Sequence, residues 1–205
     1  MNPLLPEDIQ SNLLLASASP RRREILAHLG FEFDVLTTDV DESALAGEDY
    51  FAYVRRIAAS KAAEARDVHP AKKIISADTI VLCDGEIMGK PAGYDKAFEM
   101  LKALSGKEHE VITALSLSVP SIASLEDVEV TRVFFRALSE WEIERYIETG
   151  EPFDKAGAYA IQGYAAAFVE KIDGCYFNVV GLPVALLFKL FDRLMSIEKN
   201  EQRTE

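Results

Sequence analysis

The chain has 205 residues, 49% hydrophobic and 27% charged, which excludes disorder as a whole-chain state and leaves room for one large domain or two small lobes. Its 34 acidic against 22 basic residues give a formal charge of −12, which argues against a general nucleic-acid binder and against an anionic membrane surface. Two cysteines, Cys83 and Cys175, lie in no paired motif; they exclude a disulfide framework, argue against a zinc site and fit a reducing cytosol.

Residues 1–11 read as a loose extension without the basic start of a secretory leader. Residues 12–16 read as a short apolar strand, followed by a Ser-Ala-Ser-Pro turn in which Ser19 is placed to cap a helix beginning at Pro20 and ending near Gly30. Residues 31–36 alternate as a strand, and residues 37–47 form an acidic loop. A long helix is predicted over 48–68, with Tyr50, Val54, Ile57 and Lys61 on one stripe. Residues 74–83 read as a buried strand closed by the Asp84-Gly85 turn, and residues 94–104 as a helix. Two β segments follow, 110–119 and 128–137, which can pair with each other. Ser139 and Glu142 match a capping box that opens a helix to about Glu148, with Trp141 as a packing residue. Residues 150–163 are irregular. Residues 166–172 and 176–180 look like a hairpin across Asp173-Gly174. Pro183 starts a final apolar helix to about Ile197; its apolar run is cut by Lys189 and is too short for a membrane span. Residues 198–205 read as a polar tail. This interleaving predicts an α/β fold around a twisted mixed sheet, as one large domain or two small lobes over residues 1–205.

Several residues break their local pattern. Arg21, Arg22 and Arg23 crowd the first turn of a helix, where the helix dipole favours anions by about 0.3–1 kcal/mol per charge. With Ser17 and Ser19 in a strand-turn-helix setting they suit a phosphate, unless they are three solvated arginines. Asp78 interrupts an apolar central strand, where a carboxylate needs a metal, a cation or a proton. It is a candidate general base or metal ligand, or a structural partner of a nearby cation. Lys61 on the helix stripe points to the core or a pocket, or snorkels near the helix end. Asp39, Asp41 and Glu42 form an acidic cluster whose oxygens suit Mg²⁺ or Mn²⁺ if one joins Asp78. Lys90, between Gly89 and Pro91, can meet a phosphate as a point charge or be an ordinary loop lysine. In DKAGAYAIQG, residues 154–163, Gln162 can read a base edge, and Gly157 and Gly163 permit close approach to a ligand; packing alone can also shape this loop. The three histidines sit in no catalytic context and receive no role.

Five segments in order, LLLASASPRRREIL, SADTIVLCDGEIMGKP, LSGKEHEVITAL, DKAGAYAIQG and VVGLPV, resemble the Maf family of nucleoside triphosphate pyrophosphatases, also called septum-formation inhibitors. The resemblance runs from about Leu13 to Leu194, and DKAGAYAIQG is similar to the branch acting on dTTP and UTP rather than on 7-methyl-GTP. It implies a two-lobed, inosine-triphosphatase-like (Maf/Ham1) α/β architecture with a long mixed sheet flanked by helices and a central cleft. It implies a cytoplasmic homodimer using a divalent cation, Mg²⁺ or Mn²⁺, with Glu42 and Asp78 as its ligands. By the same resemblance Asp78 is the catalytic proton acceptor, and Arg22, Thr79 and Gln162 select the substrate. Ser17, Arg21, Glu42, Lys61, Lys90 and Asp154 line the site. Two other readings stand beside it. One is a nucleotide-binding regulator of cell division without turnover. The other is a phosphomonoesterase, against which the absence of a D-x-D motif at Asp78-Thr79-Ile80 counts.

Overall fold

The computed structural model describes residues 1–120 and 122–201, the last by its backbone only. Strands and helices alternate, and the strands form one mixed sheet. The strands are β1 (Leu13–Ala16), β2 (Phe33–Leu36), β3 (Lys73–Cys83), β4 (Glu86–Met88), β5 (Glu108–Ser118), β6 (Leu125–Phe135) and β7 (Val169–Asp173). Their order is β2-β1-β3-β5-β6-β7, with β4 on β3. By contacts the chain divides into two compact units: Met1–Asp78, Ala114–Val128 and the chain from Gly181 onward form the first, Thr79–Thr113 and Glu129–Val180 the second. Among the described residues no helix is long and apolar enough to cross a membrane.

In the first unit, all four residues of β1 are buried, as a strand covered on both faces requires. It pairs in parallel with β2 and with Lys73–Ser76 of β3, so helical crossovers must join these strands. The first crossover, α2 (Pro20–His28), has Ser19 at its cap position and Pro20 at its first turn, as predicted, but the Ser19 side chain makes no capping bond. The second, α3 (Tyr50–Val68), starts where the Asp49 carboxylate accepts from the Phe51 and Ala52 N–H groups. Its buried stripe is Val54, Ile57, Ala58, Lys61, Ala62 and Ala65. Ala62 and Ala65 pack on Leu14, Ala16 and Ile74, where small residues let helix and sheet approach closely.

The N-terminal segment, expected to be loose, is docked. Within it, α1 (Glu7–Gln10) buries Ile9, while the Gln10 side chain accepts from the Asn2 N–H and donates to Asn2 O and Leu5 O, and the Asn2 side chain accepts from the Leu4 N–H. Asn2 Nδ2 also donates to Leu29 O at 2.7 Å, satisfying a carbonyl at the end of α2. The last helix, α7 (Val184–Glu201), buries Leu186, Leu187, Leu190, Phe191 and Leu194, and Phe31 stacks on Phe191. It extends past the expected end, so residues 198–201 are helical; 202–205 of the expected tail lie outside the described residues.

In the second unit, Asp84 and Gly85 both take left-handed φ values, 51° and 82°, the geometry of a tight hairpin turn. The turn leads into β4, a strand the sequence pattern did not reveal. Two helices follow, α4 (Tyr94–Leu104) and α5 (Glu140–Glu148), the latter opened by the predicted Ser139–Glu142 capping box. Bonds from Arg136 and Ser139 hold the Glu142 carboxyl down, to about 2. Trp141, expected to pack, is 66% exposed.

The expected hairpin across Asp173-Gly174 is not formed. β7 pairs antiparallel with β6, and residues Tyr176–Val180 form a short helix, α6. The reason is a buried polar knot: Asn178 Nδ2 donates to Val111 O at 2.9 Å and Thr131 Oγ1 at 3.0 Å, and Cys175 N donates to the same Oγ1 at 3.0 Å. These bonds override the β preference of the aromatic and β-branched residues. Gly174 is required there, because a Cβ would lie 2.9 Å from Thr131 Oγ1.

His109, on β5, is buried among Phe135 and Tyr159, with Nε2 2.8 Å from the Tyr159 hydroxyl. Burial pushes its imidazole down to about 4. An unfolded chain takes up a proton near pH 6.5, while the folded chain resists it until about 4. Stability is therefore lost as pH falls from about 6.5 to 4, by about 3 kcal/mol from this group. Urea unfolding at both ends of that interval is expected to show a shallower loss for His109→Leu. An unchanged loss means that other groups carry the acid sensitivity.

Candidate active site

In the first unit the site grows from the C-terminal end of β1 and the middle of β3. Ser17 follows β1 and is 4% exposed; its Oγ accepts from the Ser19 N–H at 3.2 Å and from Arg22 Nη1 at 3.2 Å. Arg22, one helical turn on, is itself buried. Its fork donates to Ala77 O at 2.8 Å and to Gly181 O at 2.8 Å. Burial pushes its guanidinium below the usual range, and the nearby Asp78 charge works the other way. The three arginines are thus not equivalent: Arg22 is buried, Arg21 half-buried and Arg23 exposed.

Asp78 is 9% exposed on β3. Lys61 reaches it from α3, with Nζ 2.8 Å from Asp78 Oδ1, and the same ammonium lies 2.7 Å from Glu42 Oε1. Lys61 is therefore buried against these carboxylates rather than snorkelling to the helix end. Of the acidic loop, only Glu42 joins this cluster. Asp41 instead accepts from the Ser43 N–H, and the Asp39 N–H donates to Glu64.

Two residues not singled out from the sequence hold the loop. The Tyr53 hydroxyl donates to Glu42 O at 2.8 Å, and Arg56 grips Glu48 through two nitrogens at 2.6 and 2.7 Å while donating to Ser43 O. Burial, with Asp78 and Glu42 next, pushes the Tyr53 phenol up. The signal for Tyr53 was present: it precedes Ile57 and Lys61 by four and eight residues, so it shares their face.

As metal ligands, Glu42 and Asp78 form a partial set. Among the described residues no group of three or more His, Cys, Asp or Glu side chains is placed to hold a metal ion. Two carboxylates drawn to one cationic point nevertheless fit a hard divalent ion that takes its remaining oxygens from water and phosphate. Lys61 offsets one of the two negative charges.

In the second unit, Thr79 Oγ1 lies 2.9 Å from Thr113 Oγ1. Lys90 is exposed in the loop after β4. That loop is tied to DKAGAYAIQG by the Gly157 N–H, which donates to Gly89 O at 3.1 Å. The segment is a run of short 3-10 turns. Asp154 is exposed and ion-paired with Lys155, and Gln162 is exposed at a turn closed by the Gly163 N–H on Ala160 O. Both glycines are closely packed. A Cβ on Gly157 (φ +69°) would meet Val81 at 3.0 Å, and one on Gly163 would fall 2.1 to 2.3 Å from the Glu151 carboxylate.

The model of the Maf-like proteins matches residues 12–194 of this chain. A protein of Syntrophomonas wolfei subsp. wolfei, named dTTP/UTP pyrophosphatase, is 48% identical over 180 residues, covering 87% of this chain and 95% of its own. One of Geobacter metallireducens, with the same name, is 51% identical over 181 residues, covering 88% and 93%. Among solved structures, the Staphylococcus aureus Ham1 protein aligns over 60% of this chain and 71% of its own, at 14% identity and a TM-score of 0.43.

Proposed function

This chain belongs to the Maf family, and on that premise we propose that it hydrolyses dTTP and UTP to the monophosphate and pyrophosphate. The observation that carries the reading is Asp78: a carboxylate on a buried strand, held by an ammonium that a second carboxylate shares.

The first unit supplies the chemistry. Asp78 takes the proton of a water whose oxygen bonds to the α-phosphorus; the bond from that phosphorus to the bridging oxygen breaks, and pyrophosphate leaves with its electron pair. Lys61 holds the Asp78 carboxyl in place. Ser17 and Arg21 meet phosphate oxygens. Arg22 serves through placement, since its bonds fix Ser17 and the carbonyl of Ala77 next to Asp78. Glu42 and Asp78 would hold a Mg²⁺ or Mn²⁺ ion, which when bound offsets phosphate charge. In the second unit, Lys90 is read as a phosphate contact and Asp154 as a substrate contact. Thr79 and Gln162 pair with the pyrimidine, leaving a wrong base with unmet hydrogen bonds. A homodimer in the cytoplasm is part of this proposal; two free cysteines, Cys83 buried, support a reducing compartment.

The test is to incubate the protein and Mg²⁺ with each common NTP and dNTP and with 7-methyl-GTP, measuring pyrophosphate and orthophosphate separately. Pyrophosphate from dTTP and UTP is expected. Orthophosphate as the main product would overturn the reaction class, and 7-methyl-GTP as the main substrate would overturn the branch. Bound nucleotide without turnover would make the chain a regulator.

A further inference from the structure

Tyr146 is 3% exposed on α5, and its hydroxyl lies 2.8 Å from Glu151 Oε1. A carboxylate has no proton to give, so the phenol donates. Its proton is retained, because burial and the Glu151 charge both push the phenol up. With its proton committed, the same oxygen accepts the Ala160 N–H at 3.2 Å. The other carboxylate oxygen, Oε2, accepts the Tyr164 N–H at 3.1 Å. The Gly163 N–H closes the turn on Ala160 O at 3.0 Å. The backbone is therefore held at 160, 163 and 164, on both sides of Gln162.

Gly163 lies so close to this carboxylate that a Cβ would sit 2.1 to 2.3 Å from it, so a side chain there would displace Glu151 from its present position. Among the described residues no Lys or Arg forms an ion pair with Glu151. A half-buried carboxylate without a cation is a poor choice for stability alone, since an apolar side chain would staple the turn at less desolvation cost. It is a good choice for conformational definition, because one rigid acceptor fixes two donors eighteen residues apart in the chain, Tyr146 and the Tyr164 N–H.

We infer that Tyr146 and Glu151 form a positioning latch that sets base selectivity by fixing the turn bearing Gln162. The latch rests on the reading of Gln162 as the base-contacting residue. Neither latch side chain touches substrate; both act through that turn. A latch of this kind is expected to change selectivity for the base more than the rate of the chemical step.

The experiment compares kcat/KM for UTP and for GTP, with Mg²⁺, in the wild type, Tyr146→Phe, Glu151→Gln, Gln162→Ala and the double variant Tyr146→Phe/Gln162→Ala, with melting temperatures showing that each is folded. Tyr146→Phe is expected to lower the UTP/GTP ratio by about tenfold, mainly through KM for UTP, as for loss of a positioned hydrogen bond. Glu151→Gln is expected to do likewise, since one amide oxygen cannot replace two carboxylate oxygens. In the Gln162→Ala background, Tyr146→Phe is expected to lower the ratio no further. An unchanged ratio in both Tyr146→Phe and Glu151→Gln, beside a lowered ratio in Gln162→Ala, would overturn the latch and leave the base reading standing. Additive losses in the double variant would overturn action through Gln162. An unchanged ratio in Gln162→Ala would overturn the base reading itself and the latch with it.

Discussion

Asp78→Asn is expected to lower kcat for dTTP and UTP by about 10²–10⁴-fold, the range for removing a positioned general base. KM is expected to stay level or fall. The reason is the charge count in the cluster. Asp78 and Glu42 share the Lys61 ammonium, and the Asp78 charge bears on the buried Arg22. Asparagine preserves shape but removes one negative charge from a place that must receive a polyanion, so ground-state attraction for a triphosphate rises while the proton acceptor is gone. A loss confined to kcat is the pattern of an interaction made in the transition state. The measurement is steady-state pyrophosphate release across a range of UTP and Mg²⁺ concentrations. Activity above a tenth of wild type would remove Asp78 from the reaction. A loss recovered by raising Mg²⁺ would make it chiefly a metal ligand.

The sequence was most informative where one residue contradicted its surroundings. Asp78 in an apolar strand and Lys61 on an apolar helix stripe both stand out by periodicity, and the structure brings the two to 2.8 Å. Glu42 could be placed only as one of three acidic residues, because which of Asp39, Asp41 and Glu42 faces Lys61 depends on how Tyr53 and Arg56 hold the loop. Helical spacing puts Arg22, three and four residues before Ile25 and Leu26, on the buried face of its helix, but the carbonyls that make this burial tolerable lie 55 and 159 residues away. The helix at Tyr176–Val180 was misread for the same reason: local propensity favours a strand there, and the long-range bonds of Asn178 decide otherwise. The glycines of DKAGAYAIQG were visible, but whether they admit a ligand or a neighbouring side chain is a property of Val81 and Glu151. What periodicity can reveal is therefore which residue is out of place, and what only the fold can reveal is which distant group makes that residue tolerable.

Arg22→Ala is expected to be the most destabilising single change in the first unit. The guanidinium is 8% exposed and donates to Ser17 Oγ, Ala77 O and Gly181 O. Alanine leaves the two carbonyls, on residues that are themselves buried, without these donors. It also removes a positive charge that bears on Asp78. Relief of the desolvated guanidinium offsets part of this, and the net cost is about 3–5 kcal/mol. For a chain of this size that lowers the melting temperature by about 6–20 °C. Arg22→Lys is expected to regain less than half of the loss, because an ammonium brings the charge but not the planar fork that spans Ala77 O and Gly181 O. Thermal unfolding read beside KM for UTP decides between placement and direct phosphate binding. A solvated phosphate-binding arginine would leave the melting temperature within about 2 °C on replacement by alanine, the scale of an ordinary surface substitution, and would raise KM alone.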